Sequence, residues 1–510
     1  MEVLGLLLPL MLLLGLSFDS SDPVTDDGVD DTPETLDPPS DTPEPSFERT
    51  GHIVSPNMFA ANAIFNVNTE EGVPTSNFQT ALDSFGFETL RYPAGEAEEN
   101  GVEGEDWLDI AELTEDGELN TGLTNFLDSV EANVILTIST TNAPVESYGE
   151  DLAEWATLVL NEYGDKIDAF EIGNEYWGKM GETEYGQKAE IAIQELSKGI
   201  ADASGGDPAI LVQMAGLYGN SDFNADVDDR GFAERTSLAN HAIIDQLSED
   251  SRSEVDGVVE HYYWRAGPPP FEDGSPEINY LDKDLAVWES RFDQDLDLYI
   301  TEWGLKAGNC PCNGLPALSL YAEMVENMVE LGTDGAYVWP VTHNTTNDLA
   351  GPHDDEGVTT DDEGRVTETM RGAIYQTMAE TLPGKELIRL DLDTVPDEME
   401  VAAYEGDGEF AMYFSNPTTE ATELEFDLSD ILPDFSSCSA TRIGYDPDGA
   451  DGVRYVPGEG WQPALTITLD GEPYYINEHD APALFTDLEF ESPTFKVALK
   501  PFEIVQLVAS

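Results

Sequence analysis

The 510-residue chain predicts a (β/α)8 barrel with a small antiparallel β-sandwich appended after it. Three observations carry that expectation. Between Gly51 and about Pro383, apolar runs of strand length alternate eight times with longer segments of helical spacing, as a closed parallel sheet requires. Beyond Gly384 the pattern changes to short alternating segments divided by Asn, Asp, Gly and Pro turns, the mark of a small antiparallel domain. Before Gly51 neither pattern is present.

Taken in chain order, residues 1–20 read as a secretory signal. Val3–Leu16 is a fourteen-residue apolar run, short for a bilayer span and suited to a signal core. The mature protein is expected to be secreted or held at the cell surface, with no membrane insertion. Residues 21–50 read as an acidic disordered linker. From Asp19 to Glu48 there are eleven acids and no base, so the stretch repels itself and cannot bury apolar area. The barrel follows over 51–383. Its strands are expected at Met58–Phe65, Glu88–Tyr92, Asn133–Ser139, Ala169–Gly173, Ile210–Gly216, Gly257–Tyr262, Leu298–Thr301 and Ala336–Pro340. Helical spacing separates them, as in Leu152–Tyr163, Tyr185–Ala203, Phe232–Leu247 and Ser319–Leu331. An open doubly wound sheet is the alternative, and the missing G-x-G-x-x-G after the first strand counts against it. The β-domain, 384–510, is expected to use Leu387–Leu392, Met399–Tyr404, Phe410–Ser415, Glu423–Leu428, Ala464–Leu469 and Phe495–Leu499 as strands.

Charge narrows the function. Asp plus Glu number 105 and Lys plus Arg 21, giving a net charge of −84. A nucleic-acid binder needs a basic face to neutralise phosphates, and an anionic membrane repels such a chain. With 40% hydrophobic and 9% aromatic residues, large cores are available. The acidity therefore reads as a hydrated, halophilic type of shell around a folded protein, one whose self-repulsion depends on salt screening. Three cysteines, Cys310, Cys312 and Cys438, make no disulfide scaffold.

Two segments carry chemistry. Phe170-Glu171-Ile172-Gly173-Asn174-Glu175-Tyr176-Trp177 is an apolar strand that ends in Asn-Glu and then aromatics. In a barrel, the C-terminal strand ends face the active site. A carboxyl partly desolvated by rings there suits a general acid. Tyr299-Ile300-Thr301-Glu302-Trp303 repeats the pattern at strand seven. Carboxyl groups at strands four and seven face each other across one barrel mouth, as glycoside cleavage requires.

The pair resembles the signature of the clan A retaining glycoside hydrolases. Leu90-Arg91-Tyr92-Pro93-Ala94-Gly95 at strand two resembles the Arg-bearing motif of the arabinofuranosidase, xylosidase and heparanase-type families. Pro93-Ala94-Gly95 departs from the double glycine usual in arabinofuranosidases. The resemblance implies Glu175 as acid/base and Glu302 as nucleophile. It further implies that Asn174 binds a sugar hydroxyl and that Arg91 keeps Glu302 ionised. Tyr263 or His261, at strand six, orients Glu302. Trp339, at strand eight, stacks on the sugar. Arg91, Asn174, His261, Tyr263 and Trp339 are thus the expected substrate-binding set, and a carbohydrate is the expected partner. A non-catalytic glycan-binding surface protein on the same barrel is the alternative.

Arg91, Lys179, Arg265 and Lys306 follow the strand ends, which suggests a local positive spot able to accept a uronate or sulfated sugar. No cofactor and no catalytic metal are expected. A structural Ca2+ at Asp446, Asp448 and Asp451 is weighed against a solvated acidic turn, and the looser run His353 to Glu356 with Asp361 to Glu363 is read the same way.

Overall fold

The computed structural model describes residues 46–95, 109–264, 279–305, 314–343, 348–350, 353–354, 357–358, 360, 365–366, 369–391, 399–429, 431, 438–445, 452–456, 460–478, 483–490 and 493–509. The proposed signal, most of the linker, Arg265, Lys306, Cys310, Cys312 and the Ca2+ candidates Asp446, Asp448 and Asp451 lie outside the described residues, as do Glu356 and Asp361 to Glu363.

Eight parallel strands close into a barrel. In chain order they are Asn57–Asn62, Thr89–Tyr92, Asn133–Ile138, Ile167–Ile172, Ala209–Gln213, Gly257–Trp264, Asp297–Leu305 and Gly335–Val338. The eighth pairs with the first to complete the ring. A helix follows each strand: Ser76–Phe85, Thr121–Ser129, Leu152–Tyr163, Glu182–Asp202, Phe232–Ile244, Asn279–Glu289, Ala317–Glu330 and Met370–Thr381. Strands in such a sheet are covered on both faces, so apolar side chains run nearly unbroken along them. Asn133–Ile138, for example, is buried at every position after the first.

The barrel interior is built in layers, because side chains alternate across a strand with period two. Ala60, Ile135, Ala169, Leu211, Val259 and Tyr337 form an apolar layer of their own. Two residues onward along the same strands stand Asn62, Thr137, Glu171, Gln213, His261 and Trp339. The layer above the apolar plug is therefore polar, apart from the indole, and the chemistry sits on that plug.

The sandwich is not wholly C-terminal. Ser46–Ile53, assigned above largely to the linker, is a strand that pairs antiparallel with Glu386–Asp391. It forms the edge of a seven-stranded sheet that continues through Glu400–Gly406, Glu409–Ser415, Ile504–Ala509, Cys438–Tyr445 and Ala483–Glu489. Phe47 and Ile53 on this strand are exposed. Its alternation is accordingly weak, and long-range pairing rather than burial makes it a strand. Thr422–Asp427 pairs with Thr494–Leu499, and side chains of this pair, including Leu424 and Phe495, share a core with Met412, Phe414 and Val505 of the large sheet. Gln506 Nε2 donates to Thr381 Oγ1 at 2.6 Å, fastening the sandwich to the last barrel helix. Among the described residues no helix is long and apolar enough to cross a membrane.

Candidate active site

Arg91 organises the polar layer. It is fully buried on strand two, and all five of its N–H groups find acceptors. Nε and Nη2 donate to Glu171 Oε2 and Oε1 at 2.6 and 2.9 Å. Nη1 donates to Asn62 Oδ1 at 3.1 Å and to Glu302 Oε1 at 2.9 Å. Nη2 also reaches Asn174 Oδ1 at 2.6 Å. Only a guanidinium presents such a planar fork. Burial pulls the Arg91 pKa down, but Glu171 and Glu302 outweigh it and hold the group above its ordinary value. Arg91 was expected, within the substrate-binding set, to hold Glu302 and to contribute to a positive spot. Nη1 makes the contact with Glu302, while the other donors and the charge are spent on Glu171, Asn62 and Asn174 inside the protein, so it sets the positions of its acceptors.

Glu302 reaches this network through a break in register. Strand seven shifts against strand six between Ile300 and Glu302. A bulge re-aims side chains, and here the consecutive residues Thr301 and Glu302 both join the interior network. Thr301 Oγ1 donates to Glu171 Oε1 at 3.1 Å. Glu302 takes Arg91 on one oxygen and the Tyr263 hydroxyl on the other, at 2.7 Å. Burial, then the Glu302 charge, raises the Tyr263 pKa well above that of a free phenol, so this hydroxyl keeps its proton and donates.

Glu175 follows strand four in the left-handed backbone region, at φ 45° and ψ 43°. A non-glycine residue there carries strain of the kind stored at functional sites. Its side chain is 40% exposed, whereas that of Glu302 is 6% exposed. The two carboxyl groups thus differ in environment, one open to the cleft and one embedded. His261 lies between them: Nδ1 is 3.1 Å from Glu175 Oε1 and 3.6 Å from Glu302 Oε2. Burial pulls the imidazole pKa down, and the two carboxylates reverse that shift and raise it. Behind it, Glu260 accepts the His261 backbone N–H at 2.9 Å, and burial pushes the Glu260 carboxyl up to about 7.

One donor atom from each of Glu175, His261 and Glu302 lies within 4.8 Å of the other two. The same three are the one group of His, Cys, Asp and Glu among the described residues close enough to hold an ion. The fixed cation of Arg91, 2.9 Å from Glu302, opposes a metal there.

The structure brings Arg91, Asn174, Glu175, His261, Tyr263, Glu302 and Trp339 to the C-terminal face of the barrel. Asn174 is buried, and because its Oδ1 is taken by Arg91 its amide NH2 faces the other way. Trp339 continues strand eight, and its backbone N–H donates to Trp303 O, beside Glu302, at 2.8 Å. A side chain at Gly95, where φ is +68°, would collide with the Trp339 ring. The strand-two motif therefore needs glycine at this position. Lys179 is exposed. Asn62, Glu171 and Thr301 join the site although no motif in the sequence marks them. For Asn62 and Glu171 the signal is a polar residue within an apolar strand, two positions beyond an interior apolar one.

No family model and no curated protein matches the chain in sequence. Its fold is shared with clan A glycoside hydrolases. A family 51 α-L-arabinofuranosidase from Bifidobacterium longum aligns with a TM-score of 0.59 at 11% identity, over 90% of this chain and 97% of that one. The α-L-arabinofuranosidase of Thermotoga maritima, solved with arabinose, gives 0.56 at 11% identity, over 91% and 99%. A GH86 variant in complex with neoagarooctaose gives 0.56 at 12% identity, over 92% and 78%. At these identities the shared property is the barrel with its sandwich.

Proposed function

We propose that the chain is a secreted retaining glycoside hydrolase that cleaves O-glycosidic bonds in a neutral polysaccharide or its oligosaccharides. The observation that carries this reading is that two carboxyl groups face each other across the barrel mouth with His261 between them, the nearest oxygens of Glu175 and Glu302 lying within 4.8 Å. Retaining enzymes hold their carboxyl groups about 5–5.5 Å apart, and inverting ones about 6.5–9.5 Å, to admit a water. The environments suit a division of labour. Glu302, held by Arg91 and Tyr263, is the nucleophile. Glu175, open to the cleft, is the acid and then the base. In the first step Glu175 gives its proton to the glycosidic oxygen while Glu302 attacks the anomeric carbon. The bond to the leaving group breaks and a glycosyl ester of Glu302 forms. In the second step Glu175 removes a proton from water, which attacks the same carbon and frees Glu302. Asn174, its amide nitrogen turned away from Arg91, supplies a donor for a sugar hydroxyl, and Trp339 supplies an apolar face.

The substrate class follows from charge. Arg91 is neutralised inside the protein, and a net charge of −84 repels polyanions. A neutral sugar fits better than a uronate. The fold neighbours include arabinofuranosidases, so 4-nitrophenyl α-L-arabinofuranoside is the first probe, in a panel with the β-xyloside, β-glucoside and β-glucuronide at several salt concentrations. The reading requires turnover of at least one neutral member with retained anomeric configuration in the first-formed product. Inversion would overturn it. The N-terminal apolar run Val3–Leu16 supports export, and N-terminal sequencing of the protein from culture medium tests it.

Two variants probe the roles. Glu175→Gln removes the general acid and should cost about 10²–10⁴ in kcat on oligosaccharides. The loss should be much smaller on aryl glycosides whose leaving group needs no protonation; equal losses on both would remove the assignment. Tyr263→Phe deletes a hydrogen bond to a charged group, about 1.5–3 kcal/mol, and should lower kcat/KM about tenfold to a hundredfold with the fold intact. An unchanged kcat/KM would show that Arg91 alone positions Glu302.

A further inference from the structure

We infer that Tyr218 forms a sugar-stacking subsite on the leaving-group side of the cleft, a binding site for an uncharged pyranose or furanose ring. The inference rests on the glycosidase reading, because it uses the role of Glu175 to define the side.

Tyr218 stands in the segment after strand five and is 65% exposed. An exposed aromatic side chain is ordinary by itself. Its fixed position beside the acid is what distinguishes it. The backbone N–H of Asn220 donates to Trp177 O at 2.6 Å, and Asn220 Nδ2 donates to Gly178 O at 2.7 Å. Gly219, at φ +52°, lies so close to Trp177 O that a side chain there would collide with it. These contacts tie the Tyr218 segment to the single turn Tyr176–Gly178 that directly follows Glu175. The Trp177 ring meets His261 edge to face, with centroids 6.4 Å apart, and His261 in turn contacts Glu175. From the other side, the Tyr280 hydroxyl donates to His261 O at 3.2 Å. The Tyr218 backbone is thereby fixed beside the turn that follows Glu175, at the rim of the mouth, with its side chain exposed.

A general acid protonates the leaving oxygen, so the ring that departs lies on the side of Glu175. An exposed phenol face at that rim offers apolar area and a hydroxyl in one rigid group with few rotamers. It carries no charge, so it suits a neutral sugar.

The test uses the full chain with Tyr218→Ala and Tyr218→Phe, and two substrates of whichever sugar the panel identifies. One is a trisaccharide, whose leaving group fills the subsite. The other is the glycosyl fluoride, whose leaving group fills none. Tyr218→Ala should raise KM for the trisaccharide about threefold to tenfold, by analogy with aromatic contacts elsewhere. It should leave kcat/KM for the fluoride and the melting temperature unchanged, and Tyr218→Phe should behave nearly as wild type. Equal losses on both substrates, or no loss on either, would overturn the subsite. If no glycoside is turned over, calorimetric titration with arabinotriose and xylotriose separates the two ideas. Binding that is lost in Tyr218→Ala keeps the subsite while the glycosidase reading falls, and binding that is absent or indifferent to Tyr218 overturns the subsite as well.

Discussion

Exchanging Glu302 for glutamine should lower kcat by about 10⁴- to 10⁶-fold, the range found when one member of a covalent catalytic unit is removed. The variant should still fold and still bind ligand. Arg91 can only donate, so the new amide must turn its oxygen toward Nη1, where Glu302 Oε1 accepts at 2.9 Å in the wild type. Its NH2 then faces the Tyr263 oxygen, now 2.7 Å from Glu302 Oε2. A tyrosine hydroxyl can rotate and accept, so the geometry survives the change. What is lost is the nucleophile: an amide oxygen does not form the glycosyl ester. Steady-state rates on an aryl glycoside, alongside calorimetric affinity for the product sugar, separate these effects. Turnover within tenfold of wild type would remove Glu302 from the mechanism. Loss of both turnover and binding would mean that the amide had broken the network.

The residues that make the barrel were legible because buried parallel strands carry unbroken apolar runs. The run beginning at Asn133 needed no partner to be recognised, and the strand that contains it begins at that residue. The two glutamates were legible because they interrupt such runs at their C-terminal ends. Glu171 was less so. It lies inside its strand, where a lone acid looks like an anomaly until its interior phase, shared with Ala169, is traced. An acid wholly buried there demands a cation, and Arg91, the interior base on strand two, answers that demand. Thr301 was hidden for another reason. Strict alternation puts it and Glu302 on opposite faces, and only the bulge between Ile300 and Glu302 lets both point inward. Ser46–Ile53 was hidden because an exposed edge strand has no apolar phase to read, and its existence depends on Glu386–Asp391, more than 330 residues away in sequence.

Arg91→Met should destabilise the protein by about 3–5 kcal/mol, the cost of breaking a buried ion pair by removing one partner. Four acceptor residues then lose their donor together: Glu171, Glu302, Asn62 and Asn174. Glu171 is the costliest of these, being fully buried with only the Thr301 hydroxyl left to it among the described residues. Activity should fall as well, since Glu302 loses the Nη1 donor that fixes its Oε1 and Asn174 loses the contact that orients its amide. Arg91→Lys should rescue little, because an ammonium cannot span five acceptors lying in one fork. Pairing the change with Glu171→Gln separates the two effects. The double variant, with a neutral group facing a neutral group, should regain part of the stability without regaining activity, because Glu302 remains without its cation. Denaturant unfolding followed by intrinsic fluorescence measures the first effect and kcat/KM on the best aryl glycoside the second. A single variant that unfolds within about 1 kcal/mol of wild type would contradict the placement of Arg91 as a buried, charge-paired hub. A double variant that recovers both stability and turnover would show that Glu171 is what Arg91 serves, and that Glu302 needs no cation to act.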